Sequence, residues 1–231
     1  MSDVLIFAHR GVYDNRTVFE NTLPSFKKAI KRGLAIELDI RMTKDEVIVV
    51  HHDENLKRIF KSEKRILKSK WDDIKSIQRD GIHIPTLKSV LDLVNGKVPI
   101  LIELKVDTNS KKMTKKLISL LENYEGDVWI QSFSPFVLRR FKKRMPKIRR
   151  GQLLMPYKRY PSKTFGRIMQ SMITHPISKP NFYSFDKNVG KSQFYRYYLN
   201  RFAKSYGVWT LNENSNAMMQ DYDFKIMKIT L

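Results

Sequence analysis

A closed α/β barrel of eight parallel strands is the architecture this sequence predicts. Three observations lead to it. Eight short apolar runs, rich in β-branched and aromatic residues, recur along the chain. Amphipathic stretches with helix-start and helix-stop signals lie between most of them. The length, 231 residues, suits one barrel of this kind. Alternating strands and helices favour parallel pairing through crossover helices. In such a barrel the active site sits at the C-terminal ends of the strands. No Gly/Ser-rich linker or low-complexity tract divides the chain, so residues 1–231 are read as a single domain.

The elements follow in order. "VLIFA" (4–8) is the first strand, and "HRG" follows it. Thr22-Leu23-Pro24 opens "LPSFKKAIKRG", which has a cap residue, an early proline and a closing glycine, the marks of a helix. "AIELDI" (35–40) is the second barrel strand. A helix starts at Thr86 in "PTLKSVLDLV", and "VPILIEL" (98–104) is the third strand. "KKLISLLENY" has apolar residues at helical spacing, and "DVWIQSF" (127–133) follows as a strand. Ser134 caps "SPFVLRRFKKR", with Pro135 at the first helical position. "RGQLLM" (150–155), "FYSFD" (182–186), "GVWTL" (207–211) and "KIMKIT" (225–230) complete the eight, with helical spacing in "FYRYYLNRFAKSYG" before the seventh.

One stretch interrupts the alternation. In "IELDIRMTKDEVIVVHHD" (36–53) two apolar runs flank the link "TKDE". Parallel neighbours need a crossover of about a dozen residues or more, so 36–42 and 47–52 form an antiparallel hairpin. If Met42 pairs with Val47, Asp39 lies opposite Val50 and Glu37 opposite His52. Glu37, Asp39 and His52 then project from one face.

Composition narrows the function. Cysteine is absent, which excludes disulfides and thiolate zinc sites and leaves the redox compartment open. The apolar fraction, 42%, is enough for a core, and no run has the length needed to cross a bilayer. "MSDVLIFAHRG" lacks the basic and long apolar stretches of a signal peptide, so a cytoplasmic location, with contact at a membrane surface, is the expectation. Forty-four basic against 23 acidic residues give a net charge of +21, a bias toward anionic partners. A Lys-rich solvated surface accounts for charge alone equally well.

Polar residues stand at four strand ends where an ordinary core has none: His9 and Arg10, then Glu37, Asp39 and His52, then Glu103 and Lys105, then Gln131. A lone strand-end histidine is usually structural, and a lone Glu–Lys neighbour pair is usually an ion pair. Together, at successive strand ends, they read as a site. Glu37, Asp39 and Glu103 are three hard oxygen donors whose mutual repulsion a Mg²⁺ or Ca²⁺ ion relieves. His9 and His52 suit proton transfer near neutral pH. Arg10 and Lys105 add positive charge for a phosphate. This set points to hydrolysis or transfer at a phosphate ester.

The sequence resembles the glycerophosphodiester phosphodiesterases. The matching segments, in order, are "AHRG" (8–11), "ENTLPSF" (20–26), "IELDIRMTKD" (36–45), "VVHHDENLKR" (49–58), "IPTLKSVLDL" (84–93), "ILIELK" (100–105), "IQSF" (130–133) and "VWTLN" (208–212). The resemblance implies a (β/α)8 TIM-type barrel with a small insertion, about 54–84, following the hairpin after strand 2. It implies that His9 and His52 are the catalytic pair and that Glu37, Asp39 and Glu103 ligate a divalent cation, Mg²⁺ or Ca²⁺. Arg10 and Lys105 would then face the phosphate, and Trp209 would line the glycerol pocket. Glu20 and Asn21 are read as support, and His51 is given no role. Phe19 stands where the family commonly has proline. Family members continue past the eighth strand with a further helix, so the final helix is expected to be missing here.

The implied reaction splits a glycerophosphodiester into sn-glycerol 3-phosphate and an alcohol. The substrate is then a small-molecule or lipid-derived diester. The basic, aromatic stretch 156–206 raises peripheral contact with an anionic membrane or polymer as a further expectation, although helix packing explains those aromatics as well. Two other readings compete: a non-catalytic barrel that binds an anionic surface or nucleic acid, and a sphingomyelinase D-like or lysophospholipase D enzyme. A pure binder has no need of three acids at its anion site, which disfavours nucleic acid. The "ENT" and "TKD" matches favour the phosphodiesterase. Oligomeric state is not legible.

Overall fold

A computed structural model of the chain describes residues 4–105, 109–170, 173–189, 205–212 and 222–231. Its elements run β1 (Leu5–Val12), α1 (Leu23–Lys31), β2 (Ala35–Met42), β3 (Ile48–Val50), α2 (Lys57–Phe60), β4 (Gln78–Arg79), β5 (Ile82–His83), α3 (Leu87–Val94), β6 (Ile100–Leu104) and α4 (Ser110–Leu121). They continue with β7 (Val128–Ser132), α5 (Pro135–Arg144), β8 (Arg149–Leu154), α6 (Lys163–Gln170), α7 (His175–Ser178), β9 (Phe182–Asp186), β10 (Tyr206–Asn212) and β11 (Phe224–Ile229). Most of the helix expected in "FYRYYLNRFAKSYG" lies outside the described residues.

β1, β2, β6, β7, β8, β9, β10 and β11 pair in parallel in that order, and β11 pairs with β1 to close an eight-stranded (β/α)8 barrel. All eight expected strands are present within a few residues of their expected limits. Local chemistry sets the helix starts. Thr86 Oγ1 accepts from Ser89 N at 3.1 Å to open α3, and Ser134 Oγ accepts from Val137 N ahead of Pro135 in α5. These caps satisfy amide groups that the helix leaves without partners.

Burial explains the barrel's closure. Its floor is an aromatic layer of Phe7, Trp129, Phe182 and Phe224, in edge-on and tilted contacts with centroids 5.1–5.9 Å apart. Each such ring contributes about 1.5–3 kcal/mol through burial. Gly151 and Gly207 make room for it, because a Cβ at either would collide with the Phe182 or Phe224 ring. A second, outer core lies between the barrel wall and its helices and includes Phe26, Leu38, Ile40, Leu91, Leu117 and Phe141. No described helix is long and apolar enough to cross a membrane.

The hairpin forms, but its register differs by one residue from the expected one. Met42 pairs with Ile48 and Ile40 with Val50, rather than Met42 with Val47. The cause is the turn. Thr43 joins the ladder, its N–H donating to Val47 O at 3.0 Å, and Glu46 takes a left-handed φ of 67°. The loop therefore has three residues, Lys44 to Glu46, the type in which a left-handed third residue closes a bulged hairpin. Asp39 O then accepts from His51 N at 2.9 Å.

The stretch 54–84, read from sequence as the insertion, lies between β3 and α3. It carries α2 and the small β4–β5 hairpin, and it has its own apolar cluster of Leu56, Ile59, Phe60, Ile66, Ile74 and Ile84 packed on Val49 and Phe19. Phe19 is fully buried, with the Arg79 guanidinium 4.4 Å above its ring. The phenylalanine at this position thus anchors the insertion to the barrel.

Candidate active site

Parallel register places the polar residues side by side at the C-terminal half of the barrel. His9 lies beside Glu37, Asp39 beside Glu103, and Glu103 beside Gln131. Above the aromatic floor, the inward positions thus change from rings to acids. Carboxylate oxygens of Glu37, Asp39 and Glu103 lie within 4.8 Å of one another, and all three residues are buried.

The end of β1 is shaped to deliver Arg10. A bulge interrupts the β1–β11 pairing between Ala8 and Val12, and Arg10 takes a left-handed φ of 60°. Its amide donates to Glu37 Oε2 at 3.2 Å, and its carbonyl accepts from Asn21 N at 3.0 Å. The guanidinium spans two acids, with Nη1 2.7 Å from Glu20 Oε1 and Nε 3.0 Å from Asp39 Oδ2. Gly11 follows at φ 85°, where an added Cβ would stand 2.6 Å from Ser25 Oγ. Only glycine meets both demands.

Lys105 enters from the far side, with Nζ 2.7 Å from Asp39 Oδ1 and 2.5 Å from Glu103 Oε1. Asn21 donates through Nδ2 to Asp39 Oδ2 at 2.9 Å, while its Oδ1 accepts from Asp39 N at 3.3 Å. Gln131 Nε2 donates to Glu37 Oε1 at 3.4 Å. Trp209 is half-buried in β10, its Nε1 donating to Ser184 O at 3.1 Å and its ring edge-on to Phe133.

The two adjacent histidines part ways. β3 ends at Val50, so the strand's alternation no longer governs His51 and His52. His51 turns into the insertion, its Nε2–H donating to Asn55 O at 3.0 Å beside the Phe60 ring. His52 instead meets Asp53, and its protonated form favours the charged form of Asp39. Its Nδ1 lies 2.7 Å from Asp53 Oδ1. A carboxylate only accepts, so Nδ1 carries the proton and Nε2 keeps its lone pair.

Sequence reading missed the ring of charge that holds this arrangement. Arg58 Nε lies 2.7 Å from Asp53 Oδ2. Its two terminal nitrogens grip both oxygens of Glu20, at 2.9 and 2.7 Å. Glu20 in turn holds Arg10, and Arg10 holds Asp39. The run His52–Asp53–Arg58–Glu20–Arg10–Asp39 thus connects the insertion to the acids. Only "HHDENLKR", with an acid and an arginine after the histidines, hinted at it.

Electrostatics tests whether a cation fits. Burial, then repulsion from Asp39 and Glu103, pushes the Glu37 carboxyl well above the usual range. Asp39 would also rise on burial, but Lys105, Arg10 and both histidines hold it well below. Lys105 resists burial and stays charged because Asp39 and Glu103 face it. One carboxyl of the three is therefore short of positive charge, and a dication bound by hard oxygen donors supplies it. The three residues fit such an ion. Burial, with Arg10 alongside, pushes His9 down to about 3, and burial also lowers His52.

Comparison with known proteins places this site in a family. Residues 9–229 match the model of the glycerophosphoryl diester phosphodiesterase family. A glycerophosphodiester phosphodiesterase of Caldanaerobacter subterraneus subsp. tengcongensis is 34% identical over 163 residues, 64% of this chain and 66% of that one, so the match spans about two thirds of the relative's length. A Thermotoga maritima glycerophosphodiester phosphodiesterase structure superposes with a TM-score of 0.79 at 25% identity, covering 98% of this chain and 95% of that one. An Oleispira antarctica phosphodiesterase, solved in complex with the product sn-glycerol-3-phosphate, shares the fold at a TM-score of 0.78 and 20% identity, over 98% and 92% of the two chains. With its matched segment running from His9, within β1, to the end of β11 and taking in the acid cluster, this chain belongs to the glycerophosphoryl diester phosphodiesterase family.

Proposed function

We propose that this chain hydrolyses glycerophosphodiesters to sn-glycerol 3-phosphate and an alcohol. The observation that carries the reading is the convergence of Glu37, Asp39 and Glu103 within 4.8 Å, ringed by His9, His52, Arg10 and Lys105. Family membership and the product seen in the Oleispira protein support the same substrate class. Glu37, Asp39 and Glu103 would hold a divalent cation, Mg²⁺ or Ca²⁺. Such an ion polarises phosphoryl oxygen and makes a bound hydroxyl more acidic.

The protein's own groups do the rest. Arg10 and Lys105 hold the diester's phosphate by charge-assisted hydrogen bonds. Trp209 packs on the glycerol carbons. One imidazole of the His9–His52 pair takes the proton of the glycerol 2-hydroxyl as its oxygen attacks phosphorus. The other takes up a proton beside the bound phosphate's negative charge and gives it to the departing alcohol oxygen. The resulting cyclic phosphate is opened by water, with the two imidazoles exchanging roles. Joining nucleophile and phosphorus in one bound molecule is a large part of the rate gain. Asp53 keeps His52 in the tautomer whose Nε2 accepts.

Release of sn-glycerol 3-phosphate from glycerophosphocholine tests the reading. The His52→Ala variant is expected to lose on the order of a thousandfold in turnover. Near-normal turnover by that variant would contradict the role of His52.

A further inference from the structure

We propose that α6 and the turn leading into it dock this chain on an anionic lipid surface, with the mouth of the barrel facing the lipid. The segment sits on the catalytic face. Beyond the end of β8, Arg159 Nη1 reaches Asp186 Oδ2 at the end of β9, at 2.7 Å. Tyr160 packs edge-on to Phe133, just past β7, and Phe133 packs edge-on to Trp209. An aromatic line thus runs from the site wall outward, and it ends at Phe165 on α6, whose ring is 5.8 Å from that of Tyr160.

α6 turns Gly166 and Met169 inward. Its outward arc carries Phe165 and Ile168, 47% and 44% exposed, beside Lys163 and Arg167 one helical turn apart. Phe136, 55% exposed, stands in the first turn of α5, which leaves the same end of the barrel. Charge supports one kind of partner. Between Asp127 and Asp186 the sequence has no acidic residue and 13 lysines or arginines. An apolar ridge beside a basic one, in a region without acids, matches the headgroup layer of an anionic bilayer. There the rings reach the acyl boundary and the cations meet phosphate. A nucleic acid or other polyanion would use the cations and leave Phe165 in water. Taken with the phosphodiesterase reading, on which this clause rests, docking points to diesters that still carry an acyl chain, presented at the bilayer.

Flotation of the full chain with vesicles tests the proposal, using phosphatidylglycerol mixed into phosphatidylcholine, and phosphatidylcholine alone. At about 0.15 M salt the chain is expected to float with the anionic vesicles only. Phe165→Ser together with Ile168→Ser should lower the bound fraction about tenfold, as should Lys163→Glu with Arg167→Glu. Turnover of soluble glycerophosphocholine should be unchanged in both. Should the serine variant fail to fold, Phe165→Trp decides, because its emission should shift to the blue on adding anionic vesicles. No flotation, flotation that ignores the serine substitutions, or an unshifted Phe165→Trp emission overturns the proposal. Capture by duplex DNA in preference to vesicles does so as well. Vesicle binding is read without turnover, so losing one leaves the other standing.

Discussion

Asp53 Oδ1 lies 2.7 Å from His52 Nδ1, and its other oxygen lies 2.7 Å from Arg58 Nε. The carboxylate is held from both sides, so the imidazole it orients is held too. Removing it with Asp53→Ala frees His52 to rotate and to change tautomer. The expected result is a roughly tenfold to hundredfold fall in kcat with KM within about twofold. Steady-state kinetics on glycerophosphocholine checks this. An equal loss spread into KM would mean that Asp53 acts on binding instead.

Arg58 joins the insertion to the barrel through Glu20, which is 4% exposed. Arg58→Ala leaves that buried carboxylate with Arg10 as its remaining cationic partner. Arg58 itself is nearly half exposed, so the cost is expected below that of a fully buried pair, about 2 kcal/mol in urea unfolding. Arg58→Lys should recover little of it, because a lysine cannot grip both oxygens at once.

His51 and Glu20 are expected to give two separate acid transitions. Burial pushes His51 down to about 4 from an ordinary 6.5. The unfolded chain therefore binds the extra proton first. Stability from this residue is complete above about 6.5 and is lost as pH falls toward about 4, by about 3 kcal/mol. Glu20 behaves differently. Burial would raise its pKa, but Arg58 and Arg10 outweigh burial and hold it well below the carboxylate range. Its contribution persists above that range and fades only in stronger acid. His51→Gln should flatten the upper window and leave the lower one, as followed by urea midpoints across pH.

Gly11→Ala should disturb fold and site together. The added methyl meets Ser25 while φ stays at 85°, so a loss of about 2 kcal/mol or more is expected. Arg10 is the next residue, so turnover should fall further than stability alone explains. Thermal unfolding measured beside kinetics distinguishes the two effects.

The barrel was legible because its strands are local apolar runs bounded by caps and turns, as at Thr86 and Ser134. The acids were legible because Glu37, Asp39 and Glu103 sit inside such runs, where burial needs a reason. The hairpin register was not. It turned on Glu46 taking a left-handed conformation, which glutamate rarely signals. His51 and His52 were ambiguous for a related reason: a strand that stops at Val50 no longer dictates where either ring points. The link from Arg58 to Glu20 spans 38 positions and depends on the insertion folding back, so no local pattern encodes it.

Chelation decides whether buried carboxylates 37, 39 and 103 form a cation centre for phosphodiester hydrolysis. Wild-type chain treated with EDTA should lose release of sn-glycerol 3-phosphate from glycerophosphocholine. Mg²⁺ or Ca²⁺ should restore it to the wild type and not to Glu37→Gln. Full turnover in excess chelator, or normal rescue of the variant, would mean that these carboxylates hold no catalytic cation.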